Sequence, residues 1–285
     1  MDSSNWPAPA KLNLMLRVVG RRDDGYHLLQ TVFQFLDRGD RLGFSLRDDG
    51  KIVRLREIPG VAASDDLVVR AARLLREYGD LGAGVDILLD KRLPMGGGLG
   101  GGSSDAATTL VALNHLWEVG LDRQQLCDLG LSLGADVPVF VQGEAAWGEG
   151  VGEQLQPLSL PEPWYLVLIP PCQVSTLEVF TDPQLTRDTP RMKIADFLAG
   201  NARNDCLDVV VKNHPEVAVA LAWLGRYAEA RLTGTGACVF AAFESEAEAQ
   251  SLLEQLPDGY QGFVARGVNR SPLFGCLESR VTTGG

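Results

Sequence analysis

Cysteine and histidine are scarce in this 285-residue sequence, and the few that are present form no pattern. The five cysteines are odd in number and scattered, with no CxxC pair, and the three histidines lie far apart along the chain. This distribution excludes a disulfide framework and a cysteine zinc site, and it argues against a histidine metal site. Free thiols are typical of a reducing cytosol, so we expect a cytoplasmic protein.

Long apolar runs and an excess of positive charge are also missing. The longest apolar run, Val217 to Leu224, is far shorter than the ~20 residues of a membrane span, and the N-terminal segment shows no apolar core of a signal peptide. With 26 basic and 37 acidic side chains, the formal net charge is −11. This balance disfavours nucleic-acid binding through phosphate neutralisation and docking on anionic lipid. We therefore expect a soluble protein with neither nucleic acid nor membrane as a partner.

Length and one proline-rich seam indicate two domains. Three prolines between Leu155 and Pro163 block a continuous helix or central strand, so we place the domains at residues 1–157 and 158–285. Strands and helices mix in both halves without steady βαβ alternation, which favours an α+β fold.

Local periodicity predicts the main elements. Leucines alternate with other residues over 12–18, which predicts a strand with Lys11 and Asn13 on the face opposite the leucines. Two short extended runs flank the Asp-Asp-Gly of residues 48–50, a pattern typical of a hairpin. Further strands are expected at 31–35, 85–89, 165–169, 237–243 and 263–268, and helices at 66–78, 106–117, 246–256 and, interrupted before Pro215, at 205–227.

The most informative segment is a glycine tract at residues 94–105, directly before a predicted helix. Glycines lack a Cβ, so their backbone N–H groups can wrap closely around a phosphate, and the helix start adds its positive dipole end. Two serines stand where the helix N-cap is expected, and their hydroxyls can donate to phosphate or bind Mg²⁺. The alternative is a flexible loop before a packed helix. The candidate phosphate-binding residues are Pro94, Met95, Gly96, Gly97, Gly98, Leu99, Gly100, Gly101, Gly102, Ser103 and Ser104.

Several known phosphate loops do not fit this tract. No Gly-Lys-Ser/Thr follows it, which excludes a Walker A motif, and the chain has no HRD or DFG triplet of a protein kinase. A GxGxxG match at Gly96, Gly98 and Gly101 leaves a nicotinamide-dependent oxidoreductase open. That match is weak, because residues 91–94 intervene between strand and loop where a dinucleotide fold has a tight turn.

Pro-x-Gly-Gly-Gly-Leu-Gly-Gly-Gly-Ser-Ser-Asp-Ala-Ala resembles the phosphate-binding motif of the galactokinase, homoserine kinase, mevalonate kinase and phosphomevalonate kinase (GHMP) superfamily. Residues 9–14, Pro-Ala-Lys-Leu-Asn-Leu, resemble its N-terminal motif, and residues 232–240 resemble its C-terminal glycine loop. Three more segments, at 22–27, 134–140 and 203–206, are similar to the branch that phosphorylates a cytidine-diphosphate methylerythritol. The matching blocks run in order from about Pro9 to Phe274.

The resemblance implies a fold and an activity. The expected fold is a two-domain GHMP kinase fold, with a ribosomal protein S5 domain 2-like N-terminal domain, a ferredoxin-like C-terminal domain and the active site in the cleft between them. The expected reaction is ATP-dependent phosphorylation of the 2-hydroxyl of the methylerythritol unit, in the non-mevalonate isoprenoid pathway, with Mg²⁺ and a monomer or weak homodimer. Another small-molecule kinase of the superfamily, or a non-catalytic nucleotide-binding module, is the alternative.

The resemblance also assigns roles to single residues. Lys11 and Asp136 match the catalytic pair, in which the carboxylate accepts a hydrogen bond from the hydroxyl and acts as general base while the ammonium stabilises the developing negative charge. Read without the resemblance, Asp136 is typical of a helix N-cap and Lys11 of a solvated strand. The implied substrate-binding residues are Asn13, Tyr26, His27, Phe180, Gly234 and Thr235, with Tyr26 and Phe180 sandwiching the cytosine and His27 contacting its edge.

Three residues at the two ends of the tract also carry expectations. Lys91 and Arg92 precede it and would raise the local positive potential for a polyanion. Asp105 would repel phosphate if it faced the site, so we expect it to point away or to lie in the first helical turn. Ser104, the ATP phosphates and water are the expected Mg²⁺ ligands.

Overall fold

The structure, a computed structural model, describes residues 4–283. The first three residues of the N-terminal segment that was considered as a signal peptide lie outside the described residues. The strands are β1 Ser4–Arg21, β2 His27–Arg47, β3 Ile52–Arg54, β4 Gly84–Asp90, β5 Ala146–Glu149, β6 Gln154–Pro157, β7 Trp164–Ile169, β8 Arg231–Leu232, β9 Val239–Phe243 and β10 Gln261–Val268. The helices are α1 Leu67–Tyr78, α2 Gly101–Leu116, α3 Arg123–Leu131, α4 Val137–Gln142, α5 Thr176–Thr181, α6 Ile194–Leu198, α7 Leu207–Asn213, α8 Pro215–Leu224, α9 Glu246–Leu253 and α10 Pro272–Thr283.

The strands form one sheet in the order β3-β4-β2-β10-β7-β9-β8, with β1 paired to β2 and β5 paired to β2 and β6. Strand β10 joins the two halves, because Gly267 and Val268 pair with Leu36 and Phe35 of β2. Every pairing except that of β3 with β4 is antiparallel. The α+β prediction is confirmed.

Strand β1 is much longer than the predicted run of residues 12–18. It pairs with β2 along nearly its whole length, with register shifts on either side of Lys11 and Asn13. Both faces are covered, since Leu12 and Met15 are buried in one apolar cluster while Lys11 and Asn13 are themselves only 3% exposed. A strand buried on both faces does not have to alternate apolar with polar residues, so periodicity detects only part of it.

Most predicted elements are confirmed, and one hairpin is wrong. Helix α1 begins where expected, with the Asp66 side chain capping the Val68 N–H. The turn at residues 48–50 forms, but β2 and β3 do not pair with each other; β4 lies between them, antiparallel to β2 and parallel to β3. Three buried alternating residues, Val85, Ile87 and Leu89, give β4 the interior position, whereas the three-residue β3 fits an edge.

Three apolar clusters form the core. One packs α1, α2 and α4 against the first half of the sheet, and a second fills the second half around α7, α8 and β9. The third lies between them and joins Leu12, Met15 and Val32 to Val167 and Phe240. The division at residue 157 stays a prediction, and Pro157 is the last residue of β6.

Candidate active site

One cleft has a volume of about 1030 Å³ and collects residues from widely separated parts of the chain. It is open on one side and lies between β1, the glycine tract, the start of α4, α5 and the loop after β8. The lining includes the predicted residues Lys11, Asn13, Tyr26, His27, Asp136, Phe180, Gly234 and Thr235, together with every residue from Pro94 to Ser103. Residues chosen from sequence motifs are thus brought into one cavity.

The glycine tract is held in place by backbone hydrogen bonds and by close packing. Gly96, Gly98 and Gly100 have φ angles of +68°, +74° and +70°, a region that favours glycine. A Cβ at Gly98 would collide with the carbonyl oxygen of Thr233, and one at Gly100 would lie 2.8 Å from the Phe140 ring. These glycines are therefore required by the protein's own packing as well as by any ligand.

Neighbouring backbone segments clamp the tract on two sides. On one side, the Lys11 N–H donates to the Leu99 carbonyl at 3.0 Å. On the other, Ala237 and Cys238 donate to the carbonyls of Gly96 and Gly97 at 3.3 and 3.2 Å. The tract carbonyls are thus used within the protein, which leaves the N–H groups near the start of α2 available to an anion.

The start of α2 differs from the prediction. Gly100 is the N-cap and no side chain caps the helix, so Ser103 and Ser104 lie inside the helix and the predicted serine cap is wrong. Ser103 lines the cleft, whereas Ser104 is 0% exposed and does not. The hydroxyl of Ser104, the expected Mg²⁺ ligand, is buried and has no hydrogen-bond partner among the described residues, and its role stays a prediction. The helix begins earlier than predicted because the Ser104 N–H already bonds to the Gly100 carbonyl at 2.8 Å.

Lys11 and Asp136 form an ion pair in the cleft. Lys11 Nζ lies 3.2 Å from Asp136 Oδ2, and it also donates to the Gly98 carbonyl at 3.1 Å and to Asn13 Oδ1. Asp136 occupies the N-cap position of α4, yet its side chain makes no capping bond and is 34% exposed. The carboxylate therefore turns toward the buried ammonium and the cleft rather than toward the helix.

Asn13 links this pair to the second half of the molecule. Its side-chain amide donates to Thr31 Oγ1 at 2.8 Å, and its backbone N–H donates to Thr233 Oγ1 at 3.0 Å. The adjacent loop of Gly234 is fixed by Asn204, whose side chain donates to the carbonyls of Leu232 and Gly234. Asn204 lies in segment 203–206, which resembles one branch of the kinase superfamily but for which the sequence indicates no role.

The aromatic end of the cleft consists of Tyr26, His27 and Phe180. The His27 and Phe180 rings are stacked, with centroids 4.9 Å apart and 22° between their planes, while Tyr26 is 61% exposed. In this structure the partner of Phe180 is therefore His27. Arg187 Nε donates to His27 Nε2 at 3.1 Å. Burial, followed by the positive charges of Arg187 and Arg21, lowers the pKa of His27 below its ordinary value.

The comparisons with known proteins place the chain in a family. Residues 66–144 match the GHMP kinases N terminal domain, and residues 190–262 match the GHMP kinases C terminal model. A 4-diphosphocytidyl-2-C-methyl-D-erythritol kinase of Thiobacillus denitrificans is 62% identical over 272 residues, which cover 95% of this chain and 98% of that protein. The chain belongs to the 4-diphosphocytidyl-2-C-methyl-D-erythritol kinase family, a branch of the GHMP kinases.

Another relative and two solved structures support this family assignment and the fold. The kinase of Halorhodospira halophila is 58% identical over 284 residues, 99% of both chains. A crystal structure of 4-(cytidine 5'-diphospho)-2C-methyl-D-erythritol kinase superposes with a TM-score of 0.79 at 33% identity, covering 92% of this chain and 98% of that one. The mevalonate kinase of Methanococcus jannaschii, with a TM-score of 0.67 and 16% identity, shares the fold alone. The expected two-domain GHMP kinase fold is confirmed.

Membership in this kinase family disfavours the oxidoreductase alternative, and the topology agrees. The strand before the glycine tract, β4, pairs in parallel only with β3, which precedes it in the chain. No described strand after α2 pairs in parallel with β4, as a dinucleotide fold requires at its glycine turn. The GxGxxG match is therefore a by-product of the glycine run. Among the described residues, no helix is long and apolar enough to cross a bilayer.

Lys91 lies beside the tract in a buried cluster with Asp40 and Asp105. Its Nζ contacts carboxylate oxygens of both acids, at 2.8 Å for Asp105, and Asp40 also accepts the N–H groups of Arg92 and Leu93. Burial, with the nearby charge of Asp40, raises the pKa of Asp105 to about 8, although Lys91 opposes the shift. Burial lowers the pKa of Lys91, but the two carboxylates together raise it overall. Asp105 is in the second turn of α2 rather than the first, and its carboxyl group faces Lys91.

Sequence reasoning missed two parts of this candidate site. An apolar rim of Ile58, Val61, Leu67 and Leu89 also lines the cleft. Arg187 is the other omission, although it contacts His27 directly. Neither carries a motif, because the rim is built from a loop, a helix start and a strand, and Arg187 stands in an irregular loop.

Proposed function

We propose that this kinase transfers the terminal phosphate of ATP to the 2-hydroxyl of 4-diphosphocytidyl-2-C-methyl-D-erythritol. The observation that carries the proposal is the Lys11–Asp136 pair, 3.2 Å apart beside Gly98, in a cleft that the glycine tract and the aromatic end also line. This arrangement supports a triphosphate and a cytidine diphosphate that meet at the pair. The family relatives named above act on this substrate, which supports the same choice for this chain.

The nucleotide half of the proposal rests on the helix start and the apolar rim. The N–H groups of Gly101, Gly102 and Ser103 lie in the first turn of α2, have no intrahelical partner and line the cleft, so they suit the ATP phosphates. The rim of Ile58, Val61 and Leu67 provides an apolar surface for the adenine. Both assignments follow from the chemistry of the lining.

Asp136 and Lys11 act on the acceptor hydroxyl. The Asp136 carboxylate accepts the hydroxyl hydrogen bond, orients the oxygen toward the terminal phosphate and receives its proton as transfer proceeds. Lys11 Nζ stabilises the negative charge that develops on that oxygen. Because phosphoryl transfer passes through a loose transition state, orientation of the hydroxyl by Asp136 is the larger part of its role.

Mg²⁺ fits this site as an ion that arrives with ATP. Among residues 4–283, no group of three or more His, Cys, Asp or Glu side chains is arranged to hold a metal. Mg²⁺ retains water readily and takes phosphate oxygens, so it needs few protein ligands, and the Ser103 hydroxyl is the candidate in the cleft. When bound, Mg²⁺ neutralises phosphate charge.

The cellular location and the assembly of the protein are also proposals. All five cysteines are free, which supports a reducing compartment, and we keep the cytoplasm as the proposed location. A monomer or weak homodimer stays the predicted assembly, and its mass in solution by light scattering tests it.

A transfer assay tests the function. The protein is incubated with Mg²⁺–ATP and 4-diphosphocytidyl-2-C-methyl-D-erythritol, with homoserine and mevalonate as parallel acceptors, and mass spectrometry locates the new phosphate. We expect one phosphate, on the 2-hydroxyl, with the cytidine substrate alone. Transfer to homoserine or mevalonate at equal efficiency, or phosphorylation of another hydroxyl, would overturn the proposal.

A further inference from the structure

All the hydrogen bonds of Arg187 that the structure shows go to neutral acceptors. Nη1 donates to the Leu185 carbonyl at 3.0 Å, and Nη2 donates to the carbonyls of Phe180 and Asp182 at 2.9 and 2.7 Å. Nε donates to His27 Nε2 at 3.1 Å. Within residues 4–283, no carboxylate forms an ion pair with Arg187 within 4.0 Å. The guanidinium is therefore held by hydrogen bonds to neutral groups.

These bonds tie together the two stacked rings of the aromatic end. One guanidinium binds the His27 ring, which comes from the start of β2, and the backbone of Phe180, which comes from α5 in the second half. The rings themselves are 4.9 Å apart. Because a guanidinium is a rigid planar fork, it fixes the relative position of its acceptors in a way that a flexible lysine does not.

The bond to His27 also determines where the imidazole proton resides. Arginine only donates hydrogen bonds, so His27 Nε2 must be the unprotonated nitrogen of a neutral ring. The proton is then on Nδ1, and an imidazolium, with both nitrogens protonated, does not fit the contact. His27 lines the cleft, so it presents Nδ1–H as its remaining polar group.

We propose that Arg187 is a positioning residue for the pyrimidine end of the substrate: it fixes His27 as the neutral Nδ1–H tautomer and holds Phe180 beside it. This inference rests on the proposed function, since it assigns the base-binding subsite of the same cleft. It requires the ligand edge that faces His27 to offer an acceptor, either a carbonyl oxygen or an unprotonated ring nitrogen. The hydrogen bonds of Arg187 reach neither the glycine tract nor the Lys11–Asp136 pair, so we expect it to act on binding rather than on transfer.

Kinetics of Arg187→Met test the positioning role. Loss of a charged hydrogen-bonding group predicts a KM for the cytidine substrate raised roughly 10- to 100-fold. The kcat and the KM for ATP should change less than about threefold, because the glycine tract and the Lys11–Asp136 pair are untouched. Arg187→Lys keeps the charge but not the fork and should recover only part of the loss. The matched control is Arg191→Met, from the same loop, whose partner is Glu149, at 2.9 Å.

A spectroscopic readout separates this inference from the proposed function. Long-range ¹H–¹⁵N correlation of the full-length protein should show His27 in the Nδ1–H tautomer in the wild type, and a shift toward Nε2–H in Arg187→Met. A wild-type Nε2–H tautomer, or a variant with unchanged tautomer and unchanged KM for the cytidine substrate, would overturn the role of Arg187. If the wild type fails to phosphorylate that substrate, the proposed function fails, while the tautomer result still decides the positioning of His27. If Arg187→Met does not fold, the tautomer of His27 in the wild type and the KM of Arg187→Lys for the cytidine substrate decide the role of Arg187.

Discussion

Lys11 Nζ lies 3.2 Å from Asp136 Oδ2, although one residue belongs to the first strand and the other to the start of α4. The ammonium is buried, and its other contacts are with Asn13 and the Gly98 carbonyl. Its position is thus fixed by the glycine tract and by its own strand before any ligand arrives. Asp136 is the more exposed partner, which suits a group that must meet a substrate hydroxyl.

Asp136→Asn should lower kcat strongly while ATP still binds. An amide keeps the shape of the side chain but removes the charge and the proton acceptor, so we expect a loss of roughly 10²- to 10³-fold in kcat. Steady-state kinetics and calorimetric titration with an unreactive ATP analogue measure the two effects separately. Turnover close to wild type would remove Asp136 from the mechanism.

Lys11→Met should reduce kcat by a similar factor and should also lower thermal stability. Lys11 binds Asp136, Asn13 and the Gly98 carbonyl from a buried position, so a methionine leaves these partners unsatisfied at a cost of about 1–3 kcal/mol. The kcat and a thermal melt of the same preparation check both effects. An unchanged melting temperature would contradict the structural role of Lys11, and an unchanged kcat would contradict its catalytic role.

Gly98→Ala should disrupt the glycine tract. Gly98 has a φ of +74°, and an alanine Cβ would collide with the Thr233 carbonyl oxygen. We expect weaker ATP binding and a lower melting temperature. The backbone conformation alone should reduce the free energy of unfolding by about 1 kcal/mol or more. Gly102→Ala is the matched control for stability, because its Cβ meets only Leu67 Cδ1, at 3.4 Å, and its φ is not positive. Equal melting temperatures for the two variants would contradict this account of the tract.

Asp105→Asn should remove a pH dependence of stability. The folded-state pKa of about 8 lies above the ordinary value of 3.8, so the folded protein retains a proton that the unfolded chain loses. The stabilising contribution is complete below the unfolded pKa and is lost as pH rises through about 8, with a slope that approaches about 1.4 kcal/mol per pH unit. Asparagine cannot titrate, so the variant should gain stability relative to wild type as pH increases from 5 to 8.

Urea unfolding of wild type and Asp105→Asn across that pH range measures the slope. A constant difference between the two proteins at every pH would show that Asp105 is ionised in the folded state. A difference that grows in favour of the wild type would have the wrong sign for a carboxyl buried beside Asp40.

The sequence predicted which residues meet in the cleft better than it predicted the order of the strands. Motif residues such as Lys11 and Asp136 were found because each lies within a short recognisable segment, and helix α1 was found because its apolar stripe and its Asp66 cap are local signals. The pairing of β3 was missed because strand order depends on the distant β4, which no local pattern reveals. The serine cap failed because the left-handed Gly100 starts the helix three residues before Ser103.

Arg187 shows the same limit within the site. Its partners are His27, from another element, and backbone carbonyls, which carry no sequence signal. The Lys91 cluster was foreseen only as a positive potential, since its acids, Asp40 and Asp105, come from different elements. Such contacts follow from the tertiary fold and need coordinates.

A crystal structure of the protein with an unreactive ATP analogue and 4-diphosphocytidyl-2-C-methyl-D-erythritol tests the central claim most directly. The account predicts phosphate oxygens within hydrogen-bonding distance of the N–H groups of Gly101 to Ser103, and the 2-hydroxyl about 3 Å from the Asp136 carboxylate. Phosphates bound away from the glycine tract, or a 2-hydroxyl remote from both Asp136 and Lys11, would contradict it.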